Sequence, residues 1–360
     1  MIEKDLEKIN LPDLLTFNNG QTVKNKKDWE KRSSEIKEII CSEEYGHFPK
    51  EHVNTTSKVL EEDNDYCGGT AVFRKILITM HLEADFSFPI KIAIPKLKEK
   101  CKTFIYIDFH EEFPNKNLPV NEICDNGFAV VSVPYKNITS DDNDFSNGLS
   151  KFFIKSNTKV RDFGKILIWS WAVMHVMDYV QTIEELDKEN ISVVGFSRLG
   201  KTALLTGAFD ERFKFVISND SGQSGAAISR NKEGERIKDI CKTFPYWFCS
   251  NYQKYIDNEA NQAFDQHFLT SLIAPRYLYI ASASEDSWAD PKAEFRNAVV
   301  TSNLYETLGE KGLVYNKEDY PMPGEDFLEG KIGYHLRTGT HYLARYDWQR
   351  FMKYINIHKN

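Results

Sequence analysis

Several features that would place a protein in a membrane or on nucleic acid are missing from this sequence. Its longest apolar stretch, from Ile166 to Met177, is too short for a membrane span and predicts a buried helix. Lysine and arginine number 46 against 53 aspartate and glutamate residues, and they form no basic stripe, so we expect neither a membrane nor a nucleic acid as a partner. The first ten residues are charged and contain no apolar segment. We therefore expect no signal peptide and a cytoplasmic protein, the alternative being a secreted protein whose signal has been removed.

Patterns typical of metal sites, repeats and linkers are also missing. The six cysteines show no CxxC pair and no zinc spacing, and there is no H-E-x-x-H motif. We expect no metal, no cofactor and reduced cysteines in the core. Because no repeat and no proline- or glycine-rich linker divides the chain, we expect residues 1–360 to form one catalytic domain, which is a monomer.

What the sequence does contain is apolar residues in short, regular runs. They make up 41% of the chain, which is enough for one large core. Residues 1–65 are polar, and their mainly helical pattern predicts an N-terminal wrap that belongs to the same domain. Four short runs after it predict strands: residues 71–80, 89–95, 103–109 and 128–134. The first two of these strands could pair antiparallel at a sheet edge.

Farther along the chain, predicted strands alternate with predicted helices. The strands are residues 191–195, 213–218, 277–282 and 332–336. The helices are residues 162–182, 198–207, 291–308 and 347–355. This alternation indicates an α/β fold, a three-layer sandwich in which helices flank both faces of a mostly parallel central sheet.

The strongest local signal is the segment ISVVGFSRLGKTALL, residues 191–205. A buried strand runs directly into a helix there, and Ser197 stands at the corner. Such a turn exposes the hydroxyl and points the free N–H groups of the helix N-terminus at it, as a serine nucleophile needs. The usual motif is G-x-S-x-G, but Leu199 replaces the second glycine, and Gly200 follows one place later. An ordinary serine N-cap is the alternative interpretation.

The residues downstream support a nucleophile. In the α/β-hydrolase fold the catalytic residues follow the order serine, acid, histidine. Acidic residues that include Asp286 come directly after the strand YLYIAS. His341 lies in a glycine- and threonine-containing loop just before the last helix, which suits a general base. His335 lies inside a strand-like run, so we expect it to be packed in the core.

These segments resemble the bacterial glucuronoyl esterases, carbohydrate esterase family 15. The resemblance rests on GFSRLGKTALLTGAFDERFKFVISNDSG, FPYWFCSNYQKY, DQHFLTSLIAPRYLYIASASEDSWADP and GYHLRTGTH. It extends from about residue 10 to the end, since LPDLLTF and EEYGHFP are similar to the family's N-terminal segment. It implies an α/β-hydrolase fold and an enzyme that cleaves the ester between glucuronic acid on xylan and a lignin alcohol.

By that resemblance Ser197 is the nucleophile, His341 is the base, and Arg198 helps to stabilise the oxyanion. The family places the acid at one of two positions, which Asp220 and Asp286 occupy here. The first position commonly holds glutamate, and Asp220 is one methylene shorter. We therefore expect Asp286 to be the triad acid and Asp220 a second contributor.

The resemblance also implies three substrate-binding residues, Lys201, Glu235 and Trp288, which would hold the hydroxyls and the ring of the sugar. Lys201 lies one helical turn after the serine, so both can face one pocket. Without the resemblance, Lys201 could be solvated, Trp288 could belong to the core, and Arg198 could pair with a surface carboxylate. The expected substrate is glucuronoxylan or an oligosaccharide with a glucuronate ester.

Two loops differ from many relatives: SGQSGAA after Asp220, and HEEFPNKN after the strand at 103–109. Either could change the pocket rim and the substrate. One rival hypothesis is an esterase for acetylated xylan or another small carbohydrate ester. A second rival, from another class, is a carbohydrate-binding relative without activity. That rival should lack a member of the triad, and this sequence retains all of them.

Overall fold

The structure, a computed structural model, describes residues 2–50, 53–154 and 162–358. Ten strands form one sheet in this part of the chain. They are β1 (Asn54–Tyr66), β2 (Ala71–His81), β3 (Asp85–Pro95), β4 (Cys101–Asp108), β5 (Phe128–Pro134), β6 (Leu186–Phe196), β7 (Phe215–Asn219), β8 (Tyr277–Ala283), β9 (Asp326–Phe327) and β10 (Ile332–Arg337). Their order across the sheet is β1-β2-β3-β5-β4-β6-β7-β8-β10-β9.

The centre of the sheet is parallel and its edges are antiparallel. Strands β5, β4, β6, β7, β8 and β10 pair in parallel, as the alternation of strands and helices predicted. β2 pairs antiparallel with β3, and β3 pairs antiparallel with β5. The carboxyl ends of all six parallel strands therefore meet at one edge of the sheet.

Helices cover both faces of the sheet. They are α1 (Ile2–Glu7), α2 (Lys26–Ile40), α3 (Val120–Asp125), α4 (Lys165–Val180), α5 (Arg198–Phe209), α6 (Ile237–Thr243), α7 (Gln266–Ser271), α8 (Pro291–Thr307) and α9 (Arg345–Ile357). Alternate residues of β4 show the layering. Ile105 and Ile107 pack in the core that includes α4, whereas the rings of Phe104 and Tyr106 lie 5.3 Å and 5.4 Å from that of Trp348 on α9. The three-layer α/β sandwich is confirmed.

The N-terminal region differs from the predicted helical wrap. The helix over residues 26–40 is present, but residues 54–66 form a strand of 13 residues, β1. β1 pairs with β2 alone, and nearly all of its side chains are exposed. Because both faces of β1 are largely exposed to solvent, its residues do not alternate between polar and apolar. The sequence of residues 54–66 therefore does not predict a strand.

The apolar stretch from Ile166 to Met177 lies within α4, a buried helix of 16 residues, as predicted. None of the helices over the described ranges is both long enough and apolar enough to cross a lipid bilayer.

Candidate active site

The corner between β6 and α5 holds Ser197 in a strained backbone conformation. Its φ is 57° and its ψ is −128°, a backbone conformation that residues other than glycine rarely adopt. Close packing enforces the turn, since a Cβ at Gly195 would lie 1.9 Å from the carbonyl oxygen of Leu199. The side chain of Ser197 does not cap α5, so the N-cap interpretation is wrong. Gly200, one place later than the usual motif, packs against the loop after β7, where a Cβ would meet Ser221 at 2.9 Å.

His341 connects Ser197 to an acid. Its Nε2 lies 2.9 Å from Ser197 Oγ, and its Nδ1 lies 2.5 Å from Asp286 Oδ2. The imidazole side chain is 43% exposed, whereas the carboxylate of Asp286 is buried and also accepts a hydrogen bond from the backbone N–H of Ala289. The pattern places a proton on Nδ1, which donates to Asp286, and leaves Nε2 to accept from the serine.

Asp220 lies beside this chain of hydrogen bonds without joining it. One ligand atom from each of Asp220, Asp286 and His341 lies within 4.8 Å of the others. Asp220 Oδ2 accepts a hydrogen bond from Arg337 at 3.2 Å, and its Oδ1 has no hydrogen-bond partner among the described residues. Burial, followed by the nearby charge of Glu294, raises the pKa of Asp220 well above its usual value. A contribution of Asp220 to catalysis stays a prediction.

Among the residues that the structure describes, the ligand atoms of Asp220, Asp286 and His341 lie close enough together to share a metal ion. Their chemistry is a poor match for a cation, because Arg337 already places a positive charge against Asp220. The imidazole and the carboxylate of Asp286 also satisfy each other.

Arg198 is the first residue of α5, next to Ser197. Its guanidinium carbon lies 4.5 Å from the ring centre of Trp247 and 4.9 Å from that of Phe244. It forms an ion pair with Asp141, whose side chain is only 7% exposed. Arg198 therefore does pair with a carboxylate, as the alternative interpretation proposed, but that carboxylate is buried and does not lie on the surface.

Lys201 is buried, and its Nζ donates a hydrogen bond of 2.5 Å to the carbonyl oxygen of Ser221. The interpretation of Lys201 as a solvated residue is wrong. Burial lowers its pKa to about 8, and the nearby carboxylate of Glu235 acts in the opposite direction. Lys201 is thus a cation that is held in place and whose pKa lies close to neutral pH.

The other two predicted sugar-binding residues lie on adjoining loops. The backbone N–H of Glu235 donates to the carbonyl oxygen of Trp288 at 2.9 Å. The side chain of Trp288 is 56% exposed, so it does not belong to the core. Glu235 thus adjoins Trp288 through the backbone, and its charge lies near enough to Lys201 to raise the pKa of that ammonium.

His335 is packed, as its position in a strand predicted. It is fully buried, its Nδ1 lies 2.8 Å from the hydroxyl of Tyr279, and its Nε2 lies 2.8 Å from Asp347 Oδ1. Sequence reasoning missed Arg337 and Asp141. A charged residue at the end of β10 is a signal for Arg337, because buried arginines require partners. Asp141 lies in the polar segment TSDDND, which has the composition of a solvated loop.

Known proteins resemble this chain over most of its length. A family model described as glucuronyl esterase, fungi, matches residues 78–309. Carbohydrate esterase MZ0003, from an unknown prokaryotic organism, is 32% identical, and the match covers 99% of this chain and 91% of that protein. The 4-O-methyl-glucuronoyl methylesterase 1 of Wolfiporia cocos is 25% identical over 83% of this chain and 72% of its own length.

Solved structures agree with these matches. A glucuronoyl esterase from Solibacter usitatus superposes with a TM-score of 0.90 at 30% identity, covering 98% of both chains. A promiscuous CE15 esterase from the marine bacterial metagenome has a TM-score of 0.88 at 30% identity and covers 97% of both chains. A family model that spans most of the chain and a relative at 32% identity over nearly all of it lead to one conclusion: the chain belongs to the glucuronoyl esterases, carbohydrate esterase family 15, with the α/β-hydrolase fold.

Proposed function

We propose that this protein is a serine carboxylic ester hydrolase that cleaves esters of 4-O-methyl-glucuronic acid on xylan with lignin alcohols. The observation that supports it most is the chain of hydrogen bonds from Ser197 through His341 to Asp286, at 2.9 Å and 2.5 Å. The three residues follow the carboxyl ends of β6, β8 and β10, where this fold gathers reactive side chains.

The reaction proceeds through an acyl-enzyme. His341 Nε2 takes the proton of Ser197 as Oγ attacks the ester carbonyl, and the carbonyl oxygen becomes an oxyanion. The free N–H groups at the start of α5 and the guanidinium of Arg198 stabilise that charge. The imidazolium then gives its proton to the departing alcohol oxygen as the C–O bond breaks. Water repeats the sequence in reverse, with His341 again as the base, and releases the glucuronate and the free serine.

Asp286 makes this proton transfer possible in two ways. Its carboxylate holds the tautomer with a proton on Nδ1, so that Nε2 is free to accept from the serine. Its negative charge also stabilises the imidazolium that forms, and its burial keeps water from weakening that interaction.

The substrate class follows from residues that do not touch the reacting carbonyl. Lys201 supplies a buried ammonium, Glu235 a hydrogen-bond acceptor, and Trp288 an exposed flat ring against which a sugar face can pack. Curated relatives carry the name 4-O-methyl-glucuronoyl methylesterase. A fold relative from Sporotrichum thermophile, at 21% identity and a TM-score of 0.70, was crystallised with methyl 4-O-methyl-β-D-glucopyranuronate.

A second candidate is hydrolysis of acetylated xylan or another small carbohydrate ester. The triad acts on any acyl group, and a structural relative is described as a promiscuous esterase. To separate the candidates, turnover of a benzyl ester of glucuronic acid is compared with release of acetate from acetylated xylan. We expect kcat/KM to favour the glucuronate ester. Preference for the acetate would make the second candidate the function, and equal inactivity of the wild type and Ser197→Ala would refute both.

A further inference from the structure

The guanidinium of Arg198 is confined by aromatic rings. Its central carbon lies 4.5 Å, 4.9 Å and 5.8 Å from the ring centres of Trp247, Phe244 and Phe109. The rings of Phe244 and Trp247 are themselves stacked, 3.8 Å apart and 2° from parallel. A guanidinium that packs against the side of this stack and against Phe109 loses freedom to rotate.

Asp141 receives hydrogen bonds from the groups that surround this cation. Its Oδ2 accepts from the hydroxyl of Tyr135 at 2.8 Å and from Nη1 of Arg198. Its Oδ1 accepts from the indole N–H of Trp247 at 2.8 Å, and its carbonyl oxygen accepts from the hydroxyl of Tyr246 at 2.8 Å. Both carboxylate oxygens of Asp141 are thus occupied. The hydrogen bond from Trp247 also fixes the ring that packs beside Arg198, and the one from Tyr246 fixes the backbone of Asp141.

The loop that bears Asp141 is tied to the core. Nζ of Lys165, a buried residue of α4, donates to Thr139 Oγ1 at 2.9 Å and to the carbonyl oxygen of Asp144 at 2.7 Å. These contacts lie on both sides of Asp141 in the chain. The loop, and with it the carboxylate of Asp141, is therefore fixed to a helix of the core, unlike a typical surface loop.

The guanidinium of Arg198 has a buried donor, Nε, that binds no other described group, although Nη1 is bound to Asp141. An unpaired buried donor costs free energy, and a catalytic role is one of the reasons for which a protein retains one. Here that donor belongs to the residue that follows Ser197.

We propose that Asp141 is a positioning residue: by holding Nη1 it orients the guanidinium of Arg198 for the oxyanion. The inference rests on the proposed function, because it requires that an ester oxygen acquires charge next to Ser197. Since the charge exists in the transition state and not in the bound ester, loss of this orientation lowers kcat and leaves KM nearly unchanged.

The change Asp141→Asn replaces the Oδ2 acceptor by an N–H₂ group or turns Oδ1 away from Trp247. In the first case Nη1 of Arg198 faces a donor. In the second case the indole N–H of Trp247 faces a donor, and Nη1 keeps only a neutral amide oxygen, so in both cases the guanidinium is held less firmly. Because a displacement of about 1 Å can cost about a hundred-fold in rate, we expect kcat to fall about ten- to a hundred-fold, with KM within about two-fold.

A double-mutant cycle separates this role from a structural one. Asp141→Asn, Arg198→Ala and the double variant are assayed on a benzyl glucuronate ester and on 4-nitrophenyl acetate. In the Arg198→Ala background, Asp141→Asn should cost less than about two-fold on either ester, since the group it positions is gone. The matched control is Asp142→Asn on the same loop. Asp142 accepts from the Ser140 hydroxyl and the Asp144 N–H, so kcat should stay within about two-fold.

Equal losses from Asp141→Asn in both backgrounds would overturn the inference, as would a loss in KM alone. If Asp141→Asn does not fold, Asp141→Glu takes its place, since it keeps the charge and moves it by one methylene. It too should lower kcat only while Arg198 is present. A wild type that cleaves neither ester overturns the proposed function, whereas an active wild type with additive losses overturns this inference alone.

Discussion

Two carboxylates lie near His341, and substitution of each by asparagine tests which one works with it. Asp286→Asn removes the charge at 2.5 Å from Nδ1 and can present an N–H₂ group to the ring, which favours the wrong tautomer. Asp220→Asn removes a charge whose bound partner is Arg337. The two substitutions change the same number of atoms by the same chemistry, so each is the control for the other.

The structure gives the expected magnitudes. Loss of the tautomer and of the charge at the triad acid costs about ten-thousand-fold in kcat, which is about 5.4 kcal/mol at 1.36 kcal/mol per decade. A charge at 4.8 Å from the imidazole, the outer limit for Asp220, is worth about 3.5 kcal/mol at an effective dielectric constant of 20. Arg337, in contact with Asp220, offsets most of that. We expect Asp220→Asn to cost about ten-fold or less.

The assay is steady-state turnover of one glucuronate ester by the wild type and both variants, at a temperature below every measured Tm. The Tm matters because Asp220→Asn leaves the buried Arg337 with Asp347 as its remaining carboxylate partner and should destabilise the fold. If Asp220→Asn loses more turnover than Asp286→Asn while both are folded, the assignment of the triad acid is refuted.

Four other expectations concern single side chains. Ser197→Ala should lower turnover by about a million-fold with an unchanged circular-dichroism spectrum, and near-normal turnover would contradict the mechanism. His341→Ala should be about as damaging to turnover, whereas His335→Ala should mainly lower the Tm; a reversal would mean that the base is misassigned. Lys201→Ala and Trp288→Ala should each lower kcat/KM for a glucuronate ester about ten- to a hundred-fold and barely change cleavage of an activated acetate, so equal losses would indicate a structural role. Because burial lowers the pKa of Lys201 to about 8, its ammonium is present below that pH and lost above it. KM for the glucuronate ester should therefore rise as the pH passes about 8, and the rise should vanish in Lys201→Ala.

Local patterns in the sequence were sufficient to predict much of the fold and the residues Ser197, His341 and Asp286 that form the chain of hydrogen bonds. The strand-to-helix turn at Ser197 and the short apolar runs of the parallel sheet depend on neighbours in the sequence, and the structure has them where they were expected. β1 was missed because an exposed edge strand buries too little for its sequence to show a period. Its assignment requires the partner strand β2, which the sequence of residues 54–66 does not reveal.

The environment of the charged residues could not be predicted locally. Lys201 and Arg198 lie on one turn of α5, yet their partners differ. A buried carbonyl oxygen binds Lys201, whereas a carboxylate far away in the sequence binds Arg198. Asp141 is 57 residues from Arg198 in the chain, so no spacing rule connects them. Solvation, pairing and pKa depend on what the fold brings together, whereas the order of the triad follows from chain direction and sheet topology.

Arg337 shows how the fold holds the base in a working position. It ends β10, and its guanidinium donates to Asp220 and Asp347 and to the carbonyl oxygens of Thr340 and Tyr342, on either side of His341. One buried cation thus joins the loop of the base to the sheet and places positive charge against the second carboxylate. Because Arg337 holds the base through the sheet and through the backbone of its own loop, the loops after Asp220 and after β4 can differ from those of many relatives without altering the triad.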